Sequence, residues 1–430
     1  MMKETGIPSI SITLIKEDTI IWSEAFGYSN SKHQIPATTA TLYSTGSTAK
    51  PFLGVAILQL VEKGVLDLDA PVNNYLPTPI PSFSKNSKPI TLRHLLSHQS
   101  GIPGSAHFIP LWGNEHRKTL KEIASEIKPV RKPEQSYEYS NDSFSVAALA
   151  IEEQTGMSYG EYINTYILSP LELSAVNFTQ PNAKMVEEIA LPYKLVYNKA
   201  LPIKQLYSQS FPAGGNTYLS PTQMSAFLIA LLNNGVYKNK RILTTKSIQE
   251  LKHTSFGHEY YGLGIGLETE NSKKYWFHNG LQEGYTASFK LNIASKTGVY
   301  LMANTTVEEP LNKLTQLATE LLEGKTQYTA IPSFATQQYI PINIPAKELA
   351  MIIGVYTIDG TEFNLEIKER NNKIYLINPA KVTFEIAPYS KNKFYLITEN
   401  EQLEFKLGKN AIESLILYSK NQQIIAHKIK

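Results

Sequence analysis

The chain has 430 residues, 42% hydrophobic and 18% charged, with a formal net charge of +3 and no cysteine. That is enough apolar material for one large core and a smaller second one. The weak, scattered positive charge argues against nucleic acid as a partner. The lack of cysteine removes disulfides, thiolate nucleophiles and cysteine metal sites without fixing the compartment.

The first residues, MMKETGIPSISITLIKEDTI, lack the charged, apolar and small-residue order of a signal peptide. No stretch approaches the roughly 20 apolar residues of a membrane helix. The expected location is cytoplasmic as written, or periplasmic or extracellular if a leader has been removed. Ser9–Ile15 and Ile20–Ala25 carry β-branched residues around Lys16-Glu17-Asp18 and predict a hairpin. Ala49 to Lys63 has a helical pattern, stopped by Gly64. Leu92–Ser97, Phe144–Gln154, Tyr159–Ile167 and Thr222–Asn233 also predict helices. Strands return at Lys274–Phe277, Tyr285–Asn292 and Gly298–Asn304, and Glu309–Glu323 closes the region as a helix. This order predicts an α+β domain over 1–327 whose antiparallel sheet joins both ends of the region, flanked by helices and interrupted by a helical insertion.

A Pro- and Gln-bearing stretch at 328–345 reads as a linker. Beyond it, over 346–430, come eight short β-rich runs, starting at Met351–Ile358 and ending at Gln423–Ile429. Their alternation, as in Phe363/Leu365/Ile367 and Leu403/Phe405/Leu407, predicts a small antiparallel barrel or sandwich. Its expected roles are capping the site, oligomerisation or stability alone.

Three motifs carry chemistry. In Ser47-Thr48-Ala49-Lys50 the serine stands where a loop enters a helix, and the lysine one turn later shares its face. A serine needs a base to become a nucleophile, and a lysine serves if burial lowers its pKa. The same tetrad recurs at Ser29–Lys32, Ser82–Lys85, Ser125–Lys128 and Ser390–Lys393. Only at Ser47 does it open a strongly apolar helix. The second motif is Tyr139-Ser140-Asn141: the phenol is suited to proton shuttling, and the amide to orienting the lysine and a substrate carbonyl. Tyr28-Ser29-Asn30 and Tyr162-Ile163-Asn164 are look-alikes with structural readings. The third is His278-Asn279-Gly280, whose histidine offers positive charge or hydrogen bonds toward a substrate. Gly280 admits close backbone approach. The N–H groups of Ser47 and Leu281 would form an oxyanion hole.

In this order, with the intervening VEKGVLDLDAPVNNYLP, ITLRHLLSHQSGIPG, PAGGNTYLSPTQMSAFL, YGLGIG and GVYLMANT, the chain resembles the class C β-lactamase and D-alanyl-D-alanine carboxypeptidase superfamily of penicillin-recognising serine hydrolases, over about residues 6–325. The C-terminal part resembles, more weakly, the lipocalin-like barrel of some relatives. The resemblance implies a β-lactamase/transpeptidase-like α/β sandwich and a bacterial enzyme. Ser47 would attack the carbonyl, Lys50 and Tyr139 would manage protons, and Asn141 and His278 would position the substrate, with no metal or cofactor. Implied partners are small peptides or esters, peptidoglycan fragments or β-lactams, with homo-oligomers formed through the C-terminal domain.

Lys296-Thr297-Gly298 matches the motif that fills the third place in true β-lactamases, but it falls in a later hairpin turn. His278 holds that place instead, which favours a D-amino-acid-specific peptidase or an esterase, with a true β-lactamase as the alternative. Glu134 and Glu172 replace glycines common in the flanking segments, so local adjustment is expected there. His94 and His98 are spaced i, i+4 but lack the glutamate of H-E-x-x-H, so packing and hydrogen bonding are the expected roles. Thr45 and Ala49 stand where the G-x-S-x-G elbow needs glycine. Gly262, Gly264 and Gly266 are expected to mark a strand packed close to the site. The rival from another class is a silent peptide- or lipid-binding protein on the same scaffold.

Overall fold

The computed structural model describes residues 2–173, 187–211, 216–257, 259–326, 339–371, 373–408, 411–419 and 422–429. Most of the expected linker, and the PAGG segment at 212–215, lie outside them. The chain forms two compact units. One comprises 1–2, 7–194 and 202–332; the other 3–6, 195–201 and 333–430.

The larger unit is built on a seven-stranded sheet with the spatial order Gly266–Glu270, Lys273–Gln282, Tyr285–Asn292, Thr297–Ala303, Ser9–Lys16, Thr19–Asn30 and Ile35–Pro36. Neighbours are antiparallel throughout. The N-terminal strand pairs with Thr297–Ala303, Ile12 standing opposite Leu301, so the two ends of the region share one sheet as expected. Side chains alternate across a strand. In Tyr285–Asn292 the odd residues Tyr285, Ala287, Phe289 and Leu291 enter the main core. The even residues face the C-terminal helix Glu308–Leu322: Lys290 donates to Gln316, and Asn292 to Glu323. The sheet is therefore covered on both faces, by Glu308–Leu322 on one side and the helical core on the other.

That core is centred on the helix Lys50–Glu62. It is buried at every position from Lys50 to Leu60, as a helix apolar all round must be. Phe52 stacks on Phe227 of the helix Pro221–Leu232 at 3.7 Å. The helix Asn141–Thr155 buries Phe144 to Ile151 beside it. The predicted helix over Tyr159–Ile167 is an α-helix at Tyr159–Ile163 continued by a π turn at Asn164–Leu168.

Several short elements have no long-range pattern in the sequence, among them the helices Leu120–Glu126 and Thr245–Leu251 and the pairing of Tyr43–Ser44 with Tyr218–Leu219. Gly262 and Gly264 lie in a tight turn rather than a strand. Gly262 N–H donates to the Ile265 carbonyl, and the strand starts only at Gly266. Glu134 and Glu172 keep the left-handed backbone that glycine would take, at φ 66° and 59°. Glu134 is held by its own N–H to Gln99 and by Lys88 and His94.

The smaller unit contains a closed antiparallel barrel of eight strands. Tyr356, Leu365, Ile367, Leu376, Phe394, Leu403, Phe405 and Leu415 fill its interior, the alternating set that a small barrel needs. One correction concerns its start. Met351 and Ile352 end a helix, Ala346–Ile352, and the first strand is Gly354–Ile358. The hairpin residues 195–201 also belong to this unit, with Tyr197 donating to the Glu401 carbonyl at 2.7 Å.

Gly54 tests how tightly the core holds the 261–266 turn. A Cβ there would stand 2.2 Å from the Leu263 carbonyl oxygen. Helix propensity alone would make Gly54→Ala stabilising by about 1 kcal/mol. The backbone clash reverses the sign, because the turn must move. We expect a net loss of about 2 kcal/mol in denaturant unfolding, and a lower rate from displacement of the neighbouring Tyr261.

Candidate active site

Ser47 lies in a 3-10 turn, Gly46–Ala49, that runs directly into the helix Lys50–Glu62. The turn is fixed from below: Thr45 N–H donates to the Thr217 carbonyl at 2.9 Å, and Thr48 Oγ1 to the Thr45 carbonyl at 2.8 Å. Every residue from Thr41 to Lys50 is buried except Ser47, which is half-buried. The fold thus exposes one hydroxyl from an otherwise closed segment.

Lys50 is fully buried. Its Nζ stands 3.1 Å from Ser47 Oγ and donates to Asn141 Oδ1 at 2.7 Å. The rings of Phe211, Tyr139 and Phe144 surround it at 4.3, 4.7 and 5.1 Å. Burial pushes the amine well below the usual lysine range. A neutral amine that donates to Asn141 keeps a lone pair free to accept the Ser47 proton. The Tyr139 phenol hydrogen-bonds with Ser47, and burial pushes its pKa up, so it stays protonated. Asn141 opens the helix Asn141–Thr155. Ser140 caps that helix by accepting from Ser143 N–H at 3.1 Å, and Asn141 Nδ2 donates to the Ser105 carbonyl at 3.3 Å.

His278, Gly280 and Leu281 lie on the strand Lys273–Gln282. Its neighbour Gly266–Glu270 pairs with it only as far as Phe277. From His278 onward that edge faces the nucleophile turn. A Cβ on Gly280 would lie 2.1 Å from the Thr45 carbonyl oxygen and 3.2 Å from Ser47 N, and one on Gly46 would lie 2.8 Å from Leu281 N. Glycine at both places brings the amides of Ser47 and Leu281 together.

His278 differs from both of its expected uses. Burial, the dominant cause, and then the nearby Lys50 amine, which disfavours a second cation, push it down to about 3, so it is neutral in ordinary buffers and supplies no positive charge. Its Nδ1 donates to the Asn279 carbonyl at 2.7 Å, which leaves Nε2 to accept from the Tyr261 hydroxyl at 2.8 Å. Lys296-Thr297-Gly298 is remote from this chemistry: Lys296 sits in the hairpin turn before Thr297–Ala303 and donates to Asn233 Oδ1.

The sequence reading missed a second layer. His98 has a left-handed backbone (φ 60°) and is 1% exposed. Its carbonyl accepts from Glu138 N–H at 2.9 Å and its Nδ1 from Ser140 N–H at 3.0 Å. These bonds bracket Tyr139, and the His98 ring lies 4.2 Å from the Tyr139 ring. Tyr261 lies 4.7 Å from the same ring. Its partner His94 is structural, capping its own helix through Thr91. No local pattern distinguishes His98 from His94; the positive φ is visible only in three dimensions. Ser47, Tyr139, Asn141, His278 and Leu281 open onto one cavity of about 670 Å³, walled also by Tyr137, Tyr260 and Tyr261.

The chain belongs to the family whose model is described as Beta-lactamase, matched over residues 1–323, and is a serine hydrolase of that family. Protein flp of Staphylococcus aureus (strain MW2) is 25% identical over 356 residues, covering 82% of this chain and 70% of flp. Among solved structures, the octameric penicillin-binding protein homologue from Pyrococcus abyssi matches with a TM-score of 0.64 at 23% identity, covering 99% of this chain and 97% of that one. The D-amino acid amidase from Ochrobactrum anthropi SV3 matches at 0.61 and 22% identity, covering 74% and 94%.

Two expectations follow from the geometry. Lys50→Met should abolish acylation and yet raise the thermal midpoint at pH 7, because a buried neutral lysine binds a proton more readily unfolded than folded. The difference from the unsubstituted protein should shrink as pH rises toward 10.5, where the unfolded lysine also loses its proton. A midpoint difference independent of pH would contradict a depressed Lys50. His98→Leu should lower kcat by about tenfold or more with little change in KM, by loosening Tyr139. His98→Asn, which tolerates a left-handed backbone and offers an acceptor, should recover part of the loss.

Proposed function

We propose that this member of the β-lactamase family acts through an acyl-enzyme on Ser47, and that its substrates are peptides or amides built from D-amino acids, or small esters. The carrying observation is the buried Lys50 amine, held between Ser47 Oγ and Asn141 Oδ1.

In the proposed reaction Ser47 Oγ bonds to the substrate carbonyl carbon as its proton passes to Lys50 Nζ. The carbonyl oxygen becomes an oxyanion, received by the N–H groups of Ser47 and Leu281, a pair whose members are typically worth roughly 100–1000-fold each. Tyr139 relays the proton from Lys50 to the leaving amine or alcohol as the carbonyl–leaving-group bond breaks. A water molecule then repeats the sequence: Lys50 Nζ takes its proton as the water oxygen bonds to the acyl carbon, and that proton is returned to Ser47 Oγ as the acyl–Ser47 bond breaks and the acid departs. Asn141 orients Lys50, and His278, as a neutral acceptor, fixes the Tyr261 hydroxyl at the cavity wall.

The D-amino-acid reading draws on the amidase, whose likeness is one of fold. β-Lactam hydrolysis ranks lower because a neutral histidine occupies the third motif. The test is a panel of D-Ala-D-Ala peptides, D-aminoacyl amides, p-nitrophenyl esters and nitrocefin. We expect the amides or esters to lead, and Ser47→Ala to reduce turnover by at least about 1000-fold. Nitrocefin hydrolysed far faster than the rest would reverse the ranking. Absence of any hydrolysis, with no covalent label on Ser47, would favour a silent binding protein.

A further inference from the structure

The electrostatics of the cavity bear on substrate charge. Among the described residues that line it there is no lysine or arginine; the acidic residues are Glu283 and Glu308. Both are exposed at the mouth, and neither has an ion pair with a described residue. The two bases nearest the reacting atoms do not compensate. Lys50 Nζ is engaged by Ser47 and Asn141 and burial disfavours its charged form, and both His278 nitrogens are committed, to Asn279 and Tyr261. The N-terminus of the helix Glu308–Leu322 would attract an anion, but Glu308 and Glu309 occupy its first turn. A carboxylate brought into this space would be desolvated without a cationic partner among the described lining residues, which is costly. A cation would meet two exposed carboxylates and the aromatic rings of Tyr137, Tyr139 and Tyr260 that line the cavity, surroundings of the kind that favour ammonium groups.

We propose that the cavity selects substrates bearing a cationic ammonium group near the scissile carbonyl and disfavours those bearing a free carboxylate there, with Glu283 and Glu308 as the residues that set this preference. The proposal rests on the reading of Ser47 as the acylated residue. It narrows that reading toward amino-terminal or aminoacyl substrates and away from carboxypeptidase chemistry.

The test uses the full chain and three p-nitrophenyl esters of matched size. Their acyl chains end in trimethylammonium, in the isosteric uncharged tert-butyl group, or in a carboxylate. We expect kcat/KM to fall in that order, with an ammonium-to-neutral ratio of roughly tenfold at low salt. The ratio should shrink at high ionic strength, and by at least about threefold in the Glu283→Gln/Glu308→Gln double variant. Where hydrolysis is too slow to measure, protection of Ser47 from a fluorophosphonate probe by the corresponding amides should give the same ranking. Equal or faster turnover of the carboxylate ester, or a ratio unmoved in the double variant, would overturn the proposal while leaving the acyl-enzyme intact. Failure of the fluorophosphonate to label Ser47 at all would remove the parent reading, and the proposal with it.

Discussion

An amine at the end of a four-carbon stem, placed where water does not reach, is the constraint around which the larger unit is organised. Lys50 cannot be ionised there without losing hydration that three aromatic rings do not replace. It is retained by two short contacts and by a helix that has no polar face to turn outward. Each neighbour follows from that choice. Asn141 must stand at the start of a second buried helix so that its amide oxygen reaches inward, and Ser140 must cap that helix so that Asn141 is not displaced. The strand edge must then open beyond Phe277, so that the turn carrying Ser47 can approach it. Stability and chemistry pull in opposite directions at this residue, as they do at many active sites.

Two histidines beside the nucleophile have their charged form disfavoured, both chiefly by burial, and differ in the hydrogen bonds they make. His278 sits against Lys50 and spends one nitrogen on its own strand and the other on Tyr261. His98 spends one on the N–H of Ser140, and its Nε2 has no hydrogen-bond partner among the described residues. A buried N–H of that kind is tolerated where aromatic faces surround it, as the rings of Tyr139, Phe144 and Tyr261 do here. Neither ring brings charge to the site. Both convert a histidine into a rigid spacer that sets where a tyrosine hydroxyl or phenol ring comes to rest.

What the sequence could show divides along physical lines. The main sheet and its helices were readable because each has a period and a length: Tyr285–Asn292 is recovered residue for residue, and the helix predicted from Ala49 begins at Lys50. Order, rather than letters, separated Ser47 from four identical tetrads. The failures occur where position depends on contacts distant in sequence. Tyr261 is one tyrosine among 25, and only the turn at Gly262–Ile265 brings its hydroxyl to His278. The helix Ala346–Ile352 merged with the next strand because Met351 and Ile352 continue its apolar run; the break is at Ile353, where the backbone turns extended. Glu134 and Glu172 mark the opposite case. There a residue with a side chain adopts a left-handed conformation that normally calls for glycine.

The same reasoning separates mechanism from specificity. Lys50 is locked by burial and by its contacts with Ser47 and Asn141, so the fold leaves it little freedom to vary. The cavity rim is built from exposed side chains on loop and strand ends: Glu283 follows the strand Lys273–Gln282, and Glu308 begins a helix. Neither is needed to hold the core, and neither has a partner among the described residues whose loss would leave a buried group unsatisfied. Residues so placed can change without disturbing Lys50. In this chain the rim is acidic and the wall aromatic, while the positive charge that a carboxylate would need is missing from the described lining. The proposed bias against anionic substrates therefore rests on two features together, the acidic rim and a third motif whose histidine is held neutral.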